Sequence, residues 1–281
     1  MIGSDLDPPS RPLWFFRVLL AFVRRELAEA SRYRLAFLTR FFAFGLAALS
    51  LYFFSRFIGG GENRHLASYG GNYLSFGLIG LAAADLQQVG ATTLSARVRM
   101  AQLIGFMEAQ LSTPAPDWMV LGVAPAYEIG AALVRAVLYI GGAALLFDVH
   151  FRPHFGTLAL GVPLALLAFG GLGLLSAGVT MVTRRSNPVN VLLNASSALL
   201  SGVVYPVSVL PGWLRSASNF LPLTHALELF RQALLADAPP SRLVRPLLSL
   251  GIFGVVLAIA GTLVFSWALR RARIDGSLSH F

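Results

Sequence analysis

The sequence predicts an all-α polytopic membrane protein with six transmembrane helices, on three observations. About six apolar runs, each near the ~20 residues that cross a bilayer, recur along the 281 residues. Charged residues make up only 12% of the chain, against about 25% in a soluble domain, and the mean hydropathy is +0.69. Most arginines gather at the ends of the runs, as in a chain that keeps charge out of lipid.

The elements follow in order. Residues Met1 to Ser10 are polar and proline-containing and read as a loose tail. Between Leu13 and Arg34, Phe16, Leu19, Leu20, Val23, Leu27 and Ala30 share one helical side, with Arg17, Arg24, Arg25 and Arg32 opposite. That pattern predicts an amphipathic helix on the membrane surface, so residues 1–34 form a cytoplasmic tail and interfacial helix. Residues 35–281 form a single transmembrane domain. Its spans are expected near Leu35–Ile58, Tyr73–Leu94, Tyr127–Phe147, Phe155–Val182, Val189–Val204 and Leu247–Leu269. The first apolar run starts near Leu35 and is too long for a signal-peptide core.

Arginine placement orients the chain. With six spans, the N-terminal segment, Arg97, Arg99, Arg184, Arg185, Arg270, Arg271 and Arg273 fall on one side. The other side holds Arg64, Arg152, Arg215, Arg231, Arg242 and Arg245, more dispersed. The positive-inside rule places both termini in the cytoplasm, and the glycine-rich segment Gly59–Gly71 outside. The net charge of +9 would suit nucleic acid in a soluble protein. In a chain this apolar it marks loops and helix ends, and no nucleic-acid partner is expected.

All 22 basic residues are arginine. A Walker A loop needs a lysine to reach the β- and γ-phosphates, so any ATPase driving this chain must be a separate polypeptide. Cysteine is absent, which excludes disulfides and thiolate chemistry and leaves the redox compartment open. No nucleophile elbow or His-Glu-x-x-His pair is present, so no catalytic residue is assigned. His150, His154 and Asp148 imitate metal-ligand spacing, but Pro153 interrupts them and no third strong ligand lies nearby. No metal site is assigned.

Two segments carry more specific signals. Residues 205–235 read YPVSVLPGWLRSASNFLPLTHALELFRQALL. Pro206, Pro211 and Pro222 break the stretch into pieces, and a short helix follows Pro222. Leu223, Ala226, Leu227, Phe230 and Leu234 take one face; Thr224, His225, Glu228, Arg231 and Gln232 take the other. That helix covers only about 22 Å, short of a ~30 Å hydrocarbon core, so it dips into the membrane or lies at its surface. The result is a re-entrant, broken helical hairpin between spans five and six. The second segment is Gly105-Phe106-Met107-Glu108-Ala109-Gln110-Leu111-Ser112-Thr113-Pro114, preceded by Arg97 and Arg99.

Both resemble type-2 ABC exporter permeases. The hairpin matches at Tyr205-Pro206-Val207-Ser208, Leu210-Pro211, Trp213-Leu214, Leu221-Pro222-Leu223-Thr224, Leu227-Glu228 and Arg231. The second segment resembles the family's Gly-Thr-x-Glu-x-Leu-Leu-x-Thr-Pro at Gly105, Glu108, Leu111, Thr113 and Pro114, with Phe106 and Gln110 departing from it. The resemblance implies a coupling helix at Arg97, Arg99 and Gly105–Pro114 that seats on an ABC ATPase. It implies an outer gate at Tyr205, Pro206, Leu210, Pro211, Trp213, Pro222, Glu228 and Arg231. It further implies two ATPase copies carrying ATP and Mg, none bound by this chain, and a second permease copy, with a homodimer expected. The setting would be a bacterial inner membrane, the cargo an amphiphilic drug, lipid or glycan.

Inside the membrane, Asp85 in the second span and Arg135 in the third are expected to form an ion pair ~12–14 Å from the cytoplasmic ends of their helices. A secondary transporter or channel would use that pair without an ATPase, and it stands as the alternative reading. A lipid-modifying membrane enzyme ranks behind both. Small residues at Gly170-Gly171-Leu172-Gly173 and from Ala195 to Ser201 suit close helix packing and a homodimer seam.

Overall fold

A computed structural model describes residue 24 and residues 34–57, 72–103, 117–147, 149–183 and 188–274. Among these the chain is all helix and no strand occurs. The helices are α1 (Arg34–Phe57), α2 (Tyr73–Leu103), α3 (Asp117–Phe147), α4 (Phe155–Thr183), α5 (Pro188–Leu200), α6 (Gly212–Ser218), α7 (Pro222–Leu235) and α8 (Val244–Ile274). Two single 3-10 turns, Val207–Val209 and Pro240–Arg242, flank the short helices. The predicted interfacial helix before Arg34, the glycine-rich segment Gly59–Gly71 and the coupling residues Gly105, Glu108, Leu111, Thr113 and Pro114 lie outside the described residues.

Among the described residues three helices are long and apolar enough to cross a membrane: Ala126–Phe147, Phe155–Thr183 and Val244–Ala272. Phe42–Phe57 and Asn190–Leu200 are shorter apolar helices. α2 has 31 residues, about 46 Å at ~1.5 Å each, but carries Asp85, Gln87, Gln88, Arg97 and Arg99. Its polarity has a structural reason: α2 packs against α1, α3, α4, α5 and α7, so protein surrounds much of it in place of lipid.

The core has three parts. Ile79, Leu86, Phe169, Leu223, Leu227 and Leu229 join α2, α4 and α7, and Leu250 of α8 closes the cluster. Leu94 and Val98 meet Met181, Phe265 and Leu269 where α2, α4 and α8 run together. Ala48 and Leu51 of α1 pack with Leu78 of α2 and Ala143 of α3.

α4 is the central partner of both α2 and α8, and its glycines set the distance. A Cβ at Gly173 would lie 2.2 Å from the Gly90 carbonyl oxygen of α2, and one at Gly171 would lie 2.6 Å from the Leu257 carbonyl carbon of α8. The backbones therefore touch, as small residues allow in lipid. Of the small residues at Gly170–Gly173, Gly171 and Gly173 are covered within one chain, whereas a Cβ at Gly170 meets nothing within 4 Å. The fifth span also ends differently. α5 stops at Leu200, and the chain turns at Gly202 with φ of 77°, before any proline. Left-handed backbone favours glycine because it has no Cβ to clash.

Candidate functional site

The broken hairpin is built around the end of α5. Beyond Gly202 the chain runs through Val203 to the 3-10 turn Val207–Val209, which Pro206 enters with φ of −66°. The Tyr205 hydroxyl donates back to the Leu199 carbonyl, and the Arg215 guanidinium donates to the Ser208 and Leu210 carbonyls. These bonds satisfy carbonyls that the helix break leaves without helical donors. Pro211 precedes α6, and Trp213 and Phe220 stand 73% and 77% exposed on it and just after it. Across the next turn the Ser218 and Thr224 hydroxyls meet at 3.2 Å, and His225 Nε2 sits 3.0 Å from the Asn219 carbonyl oxygen.

α7 then folds inward. Pro222 starts it, and Leu223, Ala226, Leu227, Phe230 and Leu234 are all buried. Arg231 departs from expectation. The sequence placed it on the polar face, yet it is only 3% exposed. It has Leu227 four residues before it and Leu234 three after, so it belongs to the flank of the apolar stripe. That spacing was readable in the sequence. Arg231 Nη2 donates to the Val203 carbonyl at 2.9 Å and to the Phe76 carbonyl at 3.2 Å, while Nε reaches Phe76 O at 3.3 Å. Its Cζ lies 3.3 Å from the centre of the Phe76 ring, a cation–π contact. One side chain thus ties α7 to the start of α2 and to the break after α5.

Gly80 makes that junction possible. A Cβ there would fall 2.1 Å from the Val203 carbonyl oxygen, so the α5 break rests directly on the α2 backbone.

The far end of α7 is fastened by the α3–α4 connection. Arg152 N–H donates to the Leu234 carbonyl and His154 N–H to the Ala233 carbonyl, each at 2.8 Å. Thr157 Oγ1 donates to the Ala238 carbonyl at 2.7 Å, and His154 Nδ1 accepts from Thr157 N–H at 3.1 Å. His154 therefore caps α4. No group of three metal-ligating side chains occurs among the described residues. The reading of the sequence missed this strap. Its one signal was a residue able to accept a hydrogen bond, followed three positions later by threonine at a helix start.

Between the hairpin and the first turn of α8 lies a cavity of about 690 Å³, lined among others by Pro206, Arg215, Glu228, Arg231, Arg242 and Arg245. Glu228 accepts a hydrogen bond from Gln232 at 3.4 Å. Of the remaining hairpin residues, Leu210 is half-buried at the end of the 3-10 turn, and Pro206 is half-buried at its start.

A second cavity, of about 560 Å³, opens among α1, α2 and α3, with Asp85, Gln88, Thr92, Arg97, Glu128 and Arg135 on its walls. Arg135 Nε donates to Asp85 Oδ2 at 3.1 Å, and the two side chains are 6% and 33% exposed. Arg135 is interior, whereas Asp85 opens to the cavity. Arg135 Nη2 is buried without a hydrogen-bond partner among the described residues. The helices run on to Leu103 and back to Asp117, beyond the predicted spans. The two residues therefore sit about 27 Å from those ends at ~1.5 Å per residue, twice the expected distance. Each residue now lies the same distance from its helix end, so the level match survives. Arg97 lines this cavity from the last third of α2, with Arg99 one half-turn further on.

Polar side chains also join α2 to α5. Gln87 Nε2 donates to Ser197 Oγ at 2.7 Å; Asn190 Nδ2 donates to Ser95 Oγ at 2.9 Å and accepts from Ser176 Oγ of α4 at 2.6 Å. The two rungs are about two turns apart on each helix.

No curated protein matches the chain. A family model described as ABC-2 type transporter matches residues 17–235, a span that takes in α1 through the last residue of α7. With most of its length inside that match, the chain belongs to the ABC-2 type transporter family, the membrane subunits of type-2 ABC transporters.

Proposed function

We propose that this chain is the permease of an ATP-driven exporter that moves an amphiphilic or glycan-bearing molecule outward. Membership of the family already makes it a membrane transport component that works with an ABC ATPase. The observation that carries the finer reading is the extent of the match over residues 17–235, which includes both the coupling segment and the whole hairpin. The absence of lysine from the 281 residues fits an engine held on another polypeptide.

In this reading two permease copies, expected to be identical, form the pathway between them. Six helices (α1, α2, α3, α4, α5 and α8) cross the membrane of each copy, and α6 with α7 forms the outer gate. Arg97, Arg99, Gly105, Glu108, Leu111, Thr113 and Pro114 seat on the ATPase, which supplies ATP and Mg. ATP drives the cycle only if the ATPase pair binds one arrangement of the permeases more tightly than another. The Asp85–Arg135 pair holds α2 and α3 in register, consistent with the cost of an unpaired charge in lipid.

The test is reconstitution. The tagged chain is captured from native membranes and scored for a Walker-containing partner, then placed in vesicles with that partner. Transport that requires ATP on the ATPase face and delivers cargo to the opposite compartment supports the reading. Full-rate transport without the partner or without nucleotide would return the chain to the secondary-transporter alternative.

A further inference from the structure

We propose that the 690 Å³ cavity beside the hairpin is a docking site for an anionic phosphate group, carried by a lipid headgroup or free. Four arginines (Arg215, Arg231, Arg242 and Arg245) and one carboxylate, Glu228, line it, a formal excess of three positive charges. Arg231 and Arg215 bond to backbone carbonyls, which fixes the guanidiniums without cancelling their charge. Arg242 closes the 3-10 turn Pro240–Arg242, and Arg245 stands in the first turn of α8. Both are exposed, and their side chains form no ion pair or hydrogen bond with any described residue.

Two helix starts add to the field. Thr224 and His225 in the first turn of α7, and Arg245 and Pro246 in that of α8, all line the cavity. Neither first turn holds an acidic residue, and Leu221 gives α7 no side-chain cap. Each helix start carries roughly half a positive charge. An arginine placed there opposes the dipole, and a bound anion relieves both. Planar guanidiniums match phosphate oxygens two at a time, and the volume lies within the ~300–1,000 Å³ of small-molecule sites. A lone halide ion would leave most of the space unfilled. The site stands on this cavity alone and does not depend on the direction of transport.

Phosphate reaches it either as the headgroup of an anionic lipid or as a free ion, and one experiment separates the two. The full chain in neutral detergent is titrated with dihexanoyl phosphatidylglycerol, with dihexanoyl phosphatidylcholine and with inorganic pyrophosphate, and thermal unfolding is followed. Saturable stabilisation by the glycerol lipid, stronger than by the choline lipid, is expected. In Arg242→Gln/Arg245→Gln its apparent affinity falls by about tenfold per arginine. The charge-matched control Arg56→Gln/Arg270→Gln leaves it unchanged, and Arg242→Lys/Arg245→Lys, which keeps the charge and loses the planar fork, falls between wild type and the glutamine pair. Stabilisation by pyrophosphate with the same arginine dependence assigns the site to free phosphate. No stabilisation by either anion, or an equal loss in the control pair, overturns the proposal. If the glutamine pair fails to fold, each single variant is read by native mass spectrometry for retained lipid, and wild-type retention in both overturns it equally.

Discussion

Replacing Gly80 by alanine puts a methyl group 2.1 Å from the Val203 carbonyl oxygen, where at least 3.0 Å is needed. The chain at Val203 must retreat by roughly 0.9 Å, an overpacking strain of ~1–3 kcal/mol. Arg231 Nη2 cannot follow from its own side, since it already lies 3.0 Å from the same methyl. Its 2.9 Å bond to Val203 O then stretches beyond hydrogen-bond range, and a charged donor's bond is worth ~1.5–3 kcal/mol. Gly80→Ala should therefore cost about 2.5–6 kcal/mol in total. Arg231→Met, which keeps the apolar stem and leaves the Val203 carbonyl orphaned, should cost ~1–3 kcal/mol alone. On top of Gly80→Ala it should cost only what its Phe76 contacts supply, so the losses fall short of additive by the share of the Val203 bond, a coupling of ~1–3 kcal/mol. The measurement is thermal unfolding of the four proteins of the cycle in one detergent, with transport in vesicles beside it. Wild-type melting of Gly80→Ala, or strictly additive losses, would refute a shared junction at Val203.

Three more outcomes follow from the same geometry. Asp85→Asn removes the carboxylate from a buried arginine; the usual ~3–5 kcal/mol for breaking such a pair falls to ~1–3 kcal/mol because Asp85 is one-third exposed. Asp85→Leu/Arg135→Met should melt above Asp85→Asn, and the reverse order would count against the pair as a register device. Gly202→Ala forces a side chain into φ of 77° with its Cβ 2.7 Å from Val207 Cγ2, costing at least ~1–2 kcal/mol; unchanged melting would deny the strained turn. Gln87→Leu should lose ~0.6 kcal/mol, the mean for polar contacts between membrane helices, and Ser197→Ala should add little in that background.

Three spans were legible because lipid imposes one rule, an apolar run of fixed length, and α3, α4 and α8 obey it, whereas α1 and α5 carry shorter apolar runs. Their ends were less legible. α2 continues nine residues past the predicted stop at Leu94 because Arg97, Arg99 and Gln102 read as loop, although Gln102 bonds to the Met181 carbonyl of α4 at 3.2 Å. Hydropathy cannot tell a charge leaving the membrane from one facing another helix. The hairpin was legible from its prolines, but the residue that turns the chain is Gly202, one glycine among 27. Arg231 was misplaced for a related reason. A helical wheel sorts residues by polarity, and the carbonyls at Phe76 and Val203 that draw this arginine inward become neighbours only in the fold.

The arginines divide by what they meet. Arg135 faces a carboxylate, while Arg215 and Arg231 face carbonyls exposed where helices break. A broken helix in lipid must find donors for its freed carbonyls, and arginine brings several in one planar group. Its charge is then the by-product of a structural need, and it remains in place after the carbonyls are satisfied. In the cavity beside the hairpin that residual charge adds to Arg242 and Arg245. The break that shapes the hairpin is thereby also the source of the positive field there. Removing Arg231 should weaken the hairpin and the field together, whereas removing Arg242 and Arg245 should weaken the field alone. Unequal effects of those two changes on melting, with parallel effects on phosphate affinity, would separate the scaffold from the charge it carries.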